Sequence, residues 1–182
     1  MFYGKGQIEV NWENGNSYPP RIKEFMMNPR AFTRKRIENL CRDFILSEEF
    51  METYANFLDW YEISIHQHLS ERFIRKFKHR VYWSNITRNQ NLSEHFIREF
   101  IDFIDWHAFP YENFKSIEFY REFKDKIDWI RFSYNFPLKK LSSTFINEFN
   151  NEEWWSHFKF RSHQLPIDIQ MRYREQLVRN ND

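Results

Sequence analysis

Several residue groups have the side-chain types that chemistry requires. His66-Gln67-His68 is the tightest of the seven histidines. A metal pair must converge, yet side chains two apart on a helix point to different sides, and no cysteine or paired carboxylate stands at zinc spacing. The group reads as a solvated turn. His79, His95, His107, His157 and His163 are scattered, which favours surface roles. Cys41, the single cysteine, lies among Ile37, Leu40 and Phe44. A lone thiol on an apolar helix face belongs to a core, whereas a nucleophile needs a base beside it. Asp59, Asp105 and Asp128 invite a paired-carboxylate reading, but each immediately precedes a tryptophan. That recurrence predicts helix N-caps. Gln67, Gln90 and Asn113 recur as well, and their amides are expected to satisfy backbone groups at helix ends. Gly4-Lys5-Gly6 lacks the context of a phosphate loop, and no glycine follows Gly15. The sequence therefore predicts no enzyme, no metal and no cofactor.

The elements that hold these residues form a repeat. Leu46-Ser47-Glu48-Glu49-Phe50-Met51 returns as Leu69-Ser70-Glu71-Arg72-Phe73-Ile74 and as Leu92-Ser93-Glu94-His95-Phe96-Ile97, at a step of 23 residues. The same step joins Trp60, Trp83, Trp106 and Trp129. A fourth unit starts at Lys115, and a fifth, displaced by three residues, runs from Leu141 to Trp155. Within a unit, apolar residues follow a helical period in two runs. Phe73, Phe77 and Val81 make one stripe behind Ser70 as N-cap, with Glu71 favourably placed in the first turn. Ile63, Ile86, Phe109, Phe132 and Phe158 each follow their tryptophan by three residues, about one helical turn. One such hairpin cannot bury both stripes, so stacked copies must share a core, the logic of an α-solenoid. The predicted core is Phe50, Trp60, Phe73, Phe77, Trp83, Phe96, Phe100, Trp106, Phe119, Phe123, Trp129, Phe145, Phe149 and Trp155.

The fold class that follows is mainly all-α, with short two-helix repeats and a small irregular or β-containing N-terminal segment. Residues 1–182 read as one domain: an N-terminal segment and capping helix over 1–45, five repeats over 46–162, and a cap or tail over 163–182. Gln7 to Trp12 alternate and are followed by the turn signal Glu13-Asn14-Gly15-Asn16, predicting a strand or hairpin. A helix is expected from about Arg30 to Ile45. Leu165 to Tyr173 keeps a first-helix spacing without its tryptophan, as a degenerate terminal repeat does. Composition agrees: 21 Phe, 9 Tyr and 7 Trp in 182 residues favour folding over disorder. Mean hydropathy of −0.81 and the absence of a long apolar run argue against a membrane span. The single cysteine and a start without a basic-then-apolar leader predict a cytoplasmic setting.

The pattern Leu-Ser-Glu-x-Phe-Ile-x-x-Phe, followed by Asp-Trp-x-x-Ile-Ser/Thr-x-x-Gln, resembles the tandem repeats of uncharacterised proteins of bacteriophages and large DNA viruses. Leu69 to Asn91 and Phe119 to Trp129 carry the best match. The resemblance covers roughly residues 46 to 162 and implies a viral origin with no catalytic residues. Glu153-Trp154 in the fifth unit departs from it.

Charge points to a partner. Residues 46–68 hold five acids and no Lys or Arg (−5), residues 69–91 six bases and one acid (+5), residues 92–114 one base and five acids (−4), and residues 115–140 seven bases and four acids (+3). Alternating signs suit ion pairs between neighbouring units, each of small worth when exposed, and equally suit a banded surface that registers a partner. The candidate partner-binding residues are Arg72, Arg75, Lys76, Lys78 and Arg80, the acids Glu48, Glu49 and Glu52, and two aromatics outside the repeat phase, Trp12 and Tyr18. Phe2 and Tyr3 share that irregular position. The sequence thus reads as a non-enzymatic helical-repeat protein that binds another protein, of host or virus, in the manner of an inhibitor or modulator of a host defence factor. A nucleic-acid-binding accessory protein is the alternative, since Arg30 to Arg42 and Arg72 to Arg80 are basic groups suited to phosphates, although the flanking acidic units and net +1 charge oppose a long polyanion. A virion or assembly component is the third reading.

Overall fold

Helices of six or seven residues do not persist alone in water, because the cost of nucleation is recovered over too few bonds. Here packing holds them, and a side-chain cap starts most of them. In a computed structural model, residues 6–13, 18–109, 115–136, 141–149 and 159–172 are described. The elements run β1 (Ile8–Glu9), α1 (Pro20–Met27), α2 (Arg34–Asp43), β2 (Phe44–Ile45), α3 (Glu48–Thr53), α4 (Trp60–His66), α5 (Glu71–Lys76), α6 (Trp83–Asn89), α7 (Glu94–Glu99), α8 (Ile117–Glu122), α9 (Trp129–Asn135), α10 (Ser143–Phe149) and α11 (Ile167–Arg172). The described fold is mainly helical, as the periodicity predicts. Two compact units are present, residues 1–108 and 109–182.

The first helix of each repeat starts from the same bond. The Oγ atoms of Ser47, Ser70, Ser93, Ser116 and Ser142 each accept from the backbone N–H three residues on, all at 3.1 Å. That satisfies one of the free donors of a helix start, for about 1 kcal/mol per cap. The apolar positions behind the caps are buried in register: Phe50, Phe73, Phe96, Phe119 and Phe145, then Met51, Ile74, Ile97, Tyr120 and Ile146. From the second helices come Ile63, Ile86 and Phe132. In the first unit, α2 packs on α4 and α4 on α6.

Tryptophans join repeats rather than fill them. Trp60 lies on Phe73 and Phe77 of the following repeat, with centroids 6.1 and 4.8 Å apart, and Trp83 lies on Phe96 and Phe100 at 6.3 and 5.2 Å. In the second unit Trp129 meets Phe149 at 5.2 Å. Each indole N–H donates to the carbonyl five residues earlier, at Ala55, Lys78 and Lys124. Trp60 is buried, but Trp83, Trp106, Trp129 and Phe77 are half-buried, which trims the expected core: one edge of a junction ring stays open to solvent. Phe100, Phe123 and Phe149 are buried, and Trp155 lies outside the described residues.

Of the strand or hairpin expected over Gln7 to Trp12, a strand is present: β1 pairs in parallel with β2, Ile8 opposite Phe44 and Glu9 opposite Ile45, and the turn signal falls mostly outside the described residues. Two expectations are corrected. The helix expected over Arg30 to Ile45 is shorter: Thr33 caps α2 by accepting from the Arg36 N–H, and Phe44 and Ile45 are extended. The segment at Trp106 is a turn, not a helix. Pro110 stands where Ser64 and Thr87 stand in the earlier repeats. It has no N–H for a helix to bond to the Trp106 carbonyl, and a proline disfavours helical geometry at the residue before it. In the second unit, Phe132 stacks between Phe136 and Phe145, with Tyr120 edge-on to Phe132 and Phe145, and α11 contributes Ile169 to the core.

Candidate protein-interaction surface

The residues that resemble chemistry are occupied with backbone. Gln67 is 2% exposed. Its Oε1 accepts from the Leu46 N–H at 2.8 Å, while its Nε2 donates to the carbonyls of Cys41 and Phe44 at 2.6 and 2.8 Å. Gln90 repeats the device one unit on, accepting from Leu69 N–H at 3.1 Å and donating to the Gln67 carbonyl at 2.8 Å. The amides do satisfy helix-end groups, but buried ones. Asn113 is outside the description. Asp59 accepts from the N–H groups of Tyr61 and Glu62, Asp105 from those of His107 and Ala108, and Asp128 from that of Arg131. Ser64 is fully buried; its hydroxyl donates to the Trp60 carbonyl and accepts from the Tyr82 N–H, and Thr87 likewise accepts from the Asp105 N–H. Every polar letter of the repeat motif thus has a structural bond. His66 lies 3.2 Å from the Glu62 carboxylate. No cluster of three metal-capable side chains occurs among the described residues.

Two carboxylates illustrate the electrostatics. A hydrogen bond from the Ser84 hydroxyl, helped by the Ala108 and His107 N–H groups, holds Asp105 below the ordinary carboxyl range. Arg121 does the same for Glu148. Burial pushes the Cys41 thiol up to about 12, so it stays protonated at neutral pH and is a core side chain rather than a nucleophile.

The charge bands are partly paired between repeats. Lys76 pairs with Glu52 at 2.7 Å and Arg75 with Glu99 at 2.8 Å, and the Arg75 guanidinium also lies over the Phe96 ring. Arg80 bonds Asn56 and covers Trp60. Glu48 accepts from the N–H and hydroxyl of Ser70, and Glu71 accepts from the Ser93 N–H. Of the residues expected to face a partner, Arg75, Lys76, Arg80, Glu48 and Glu52 are therefore bonded within the repeats. Arg72, Lys78 and Glu49 are exposed, and their side chains form no bond with another described residue. Arg161, which belongs to no motif position, ties together the end of α9 and the segment at Gln164: its guanidinium donates to the carbonyls of Ser133, Tyr134 and Phe136 and to Gln164. Its displacement from the glutamine register hides it in the sequence.

Two features remain open. Tyr61 and Tyr82, 49% and 51% exposed, stand edge to face with centroids 5.2 Å apart. Tyr82 holds the N-cap position of α6, where Asp59 and Asp128 cap α4 and α9, and it makes no side-chain cap bond. The second is a cleft of about 230 Å³ at the start of the repeats, lined by Trp12, Tyr18, Met26, Ser47, Glu49, Phe50, Thr53 and Tyr54. Trp12 serves the first repeat as Trp60 serves the next: it lies on Phe50 at 4.9 Å and donates to the Ile45 carbonyl, while the Tyr18 hydroxyl donates to the Trp12 carbonyl. Phe2 and Tyr3 are outside the description. No described helix is long and apolar enough to cross a membrane. Compared with protein-family models, curated proteins and solved structures, the chain matches none of them.

Proposed function

We propose that this is a non-enzymatic helical-repeat protein whose surface binds another protein. The observation that carries the reading is Tyr82. A position that bears a helix-capping aspartate in two other repeats, Asp59 and Asp128, bears a tyrosine here; the α6 cap bond is forgone and the ring faces solvent against Tyr61. The ring gains an edge contact with Tyr61 in place of the cap, yet about half of its surface stays open, and tyrosine is among the residues most used at protein contact surfaces. The unbonded cations Arg72 and Lys78 add charge for register and encounter. The sequence resemblance to viral repeat proteins directs the search to a host factor, such as one of a defence system.

Affinity capture from a host lysate at physiological salt tests this. The expected result is a specific protein retained by the wild type, resistant to nuclease, and lost with Tyr61→Ala/Tyr82→Ala. Capture that nuclease abolishes and that depends on Arg72 and Lys78 would replace it with the nucleic-acid reading.

A further inference from the structure

A guanidinium, an aromatic ring and a carboxylate come together twice, once in the repeats and once in the N-terminal segment. Arg75 lies 5.0 Å from the Phe96 centroid and pairs with Glu99 at 2.8 Å; Arg36 lies 4.0 Å from the Phe32 centroid and pairs with Glu24 at 2.5 Å. The cleft at the start of the repeats holds two parts of such a triad. Trp12, Tyr18 and Tyr54 are half-buried rings on its wall, and the exposed Glu49 carboxylate on its rim has no ion-pair partner among the described residues. The guanidinium is the missing part. The surrounding unit, residues 46–68, carries −5, with no Lys or Arg of its own.

We propose that this cleft receives an arginine side chain of the partner protein, stacked on Trp12 and the flanking tyrosines and paired with Glu49. The inference deepens the protein-binding reading and rests on it. Size agrees, since about 230 Å³ is smaller than pockets that take drug-sized molecules and suits one side chain. A guanidinium is the cation that stacks on aromatic faces while keeping planar donors for a carboxylate.

The test uses the full chain with methyl-labelled methionine and titrates a capped Gly-Arg-Gly tripeptide, with Gly-citrulline-Gly as the neutral isostere. The expected result is a saturable shift of the Met26 methyl resonance with the arginine peptide alone, weakened about fivefold or more by Glu49→Gln, and unaffected by Glu52→Gln, which removes an acid of the same unit that is bonded to Lys76. Equal shifts with citrulline, or equal weakening by Glu52→Gln, would overturn the proposal. Because no partner is present, failure here leaves the capture experiment untouched; partner capture that depends on Tyr82 but survives Glu49→Gln would likewise reject the arginine site while keeping the protein-binding reading.

Discussion

At the scale of single residues, Gln67 does more than its type announces. Its amide meets one N–H and two carbonyls in a site closed to water, so truncation strands three buried groups. Gln67→Ala is expected to lower unfolding free energy by on the order of 3 kcal/mol, read by chemical denaturation, whereas truncating the exposed Arg72 in the same assay should change it by less than about 0.5 kcal/mol. The recurrence of Gln67 and Gln90 was plain in the sequence. Their burial was not, because a glutamine's environment depends on which carbonyls approach it, and for Gln67 these come from α2 and β2, outside the repeat. Arg161 was illegible for the related reason that it answers the same need from a different register position.

At the scale of elements, the serine caps, the buried phenylalanines and the order of helices were legible, since each rests on local spacing. What local spacing misses is competition. The helix expected at Trp106 yields to Pro110, a residue whose backbone outweighs the apolar pattern around it. The N-terminal residues pair in parallel with β2, a partner that the turn signal at Asn14-Gly15 does not specify. For α6, the account predicts that Tyr82→Asp, which restores the cap made by Asp59 in α4, is more stable than Tyr82→Ala by about 1 kcal/mol. Both variants lose the ring contact with Tyr61, so the difference in their denaturation midpoints isolates the cap. Phe73→Ala, at a fully buried junction under Trp60, should cost roughly 3–5 kcal/mol.

At the scale of the whole molecule, alternating charge reads as cohesion first. Each exposed pair contributes little, yet several carboxylates sit below their ordinary pKa because a hydrogen-bond donor or guanidinium faces them: Asp105 beside Ser84, Glu24 beside Arg36, Glu148 beside Arg121. A depressed native pKa means the unfolded chain takes up protons first as acid is added, so this stability is present above the ordinary carboxyl range and is lost as pH falls below about 4. Thermal midpoints should hold between pH 5 and 7 (roughly) and fall modestly as the pH drops below about 4, since the pairs at Glu24 and Glu148 are exposed and screened. A midpoint independent of acid would show that these pairs hold nothing. Function is the least legible level, because the polar letters of the motif bond to backbone within the scaffold, and the residues to which the proposed function assigns recognition are those that depart from the motif. The most direct measurement is therefore the affinity of the Tyr82→Asp variant for the captured partner, by calorimetric titration. The account predicts a cooperatively folded protein that binds at least tenfold more weakly, the loss of about 1.4 kcal/mol or more expected of an aromatic contact residue; wild-type affinity in that variant would contradict it.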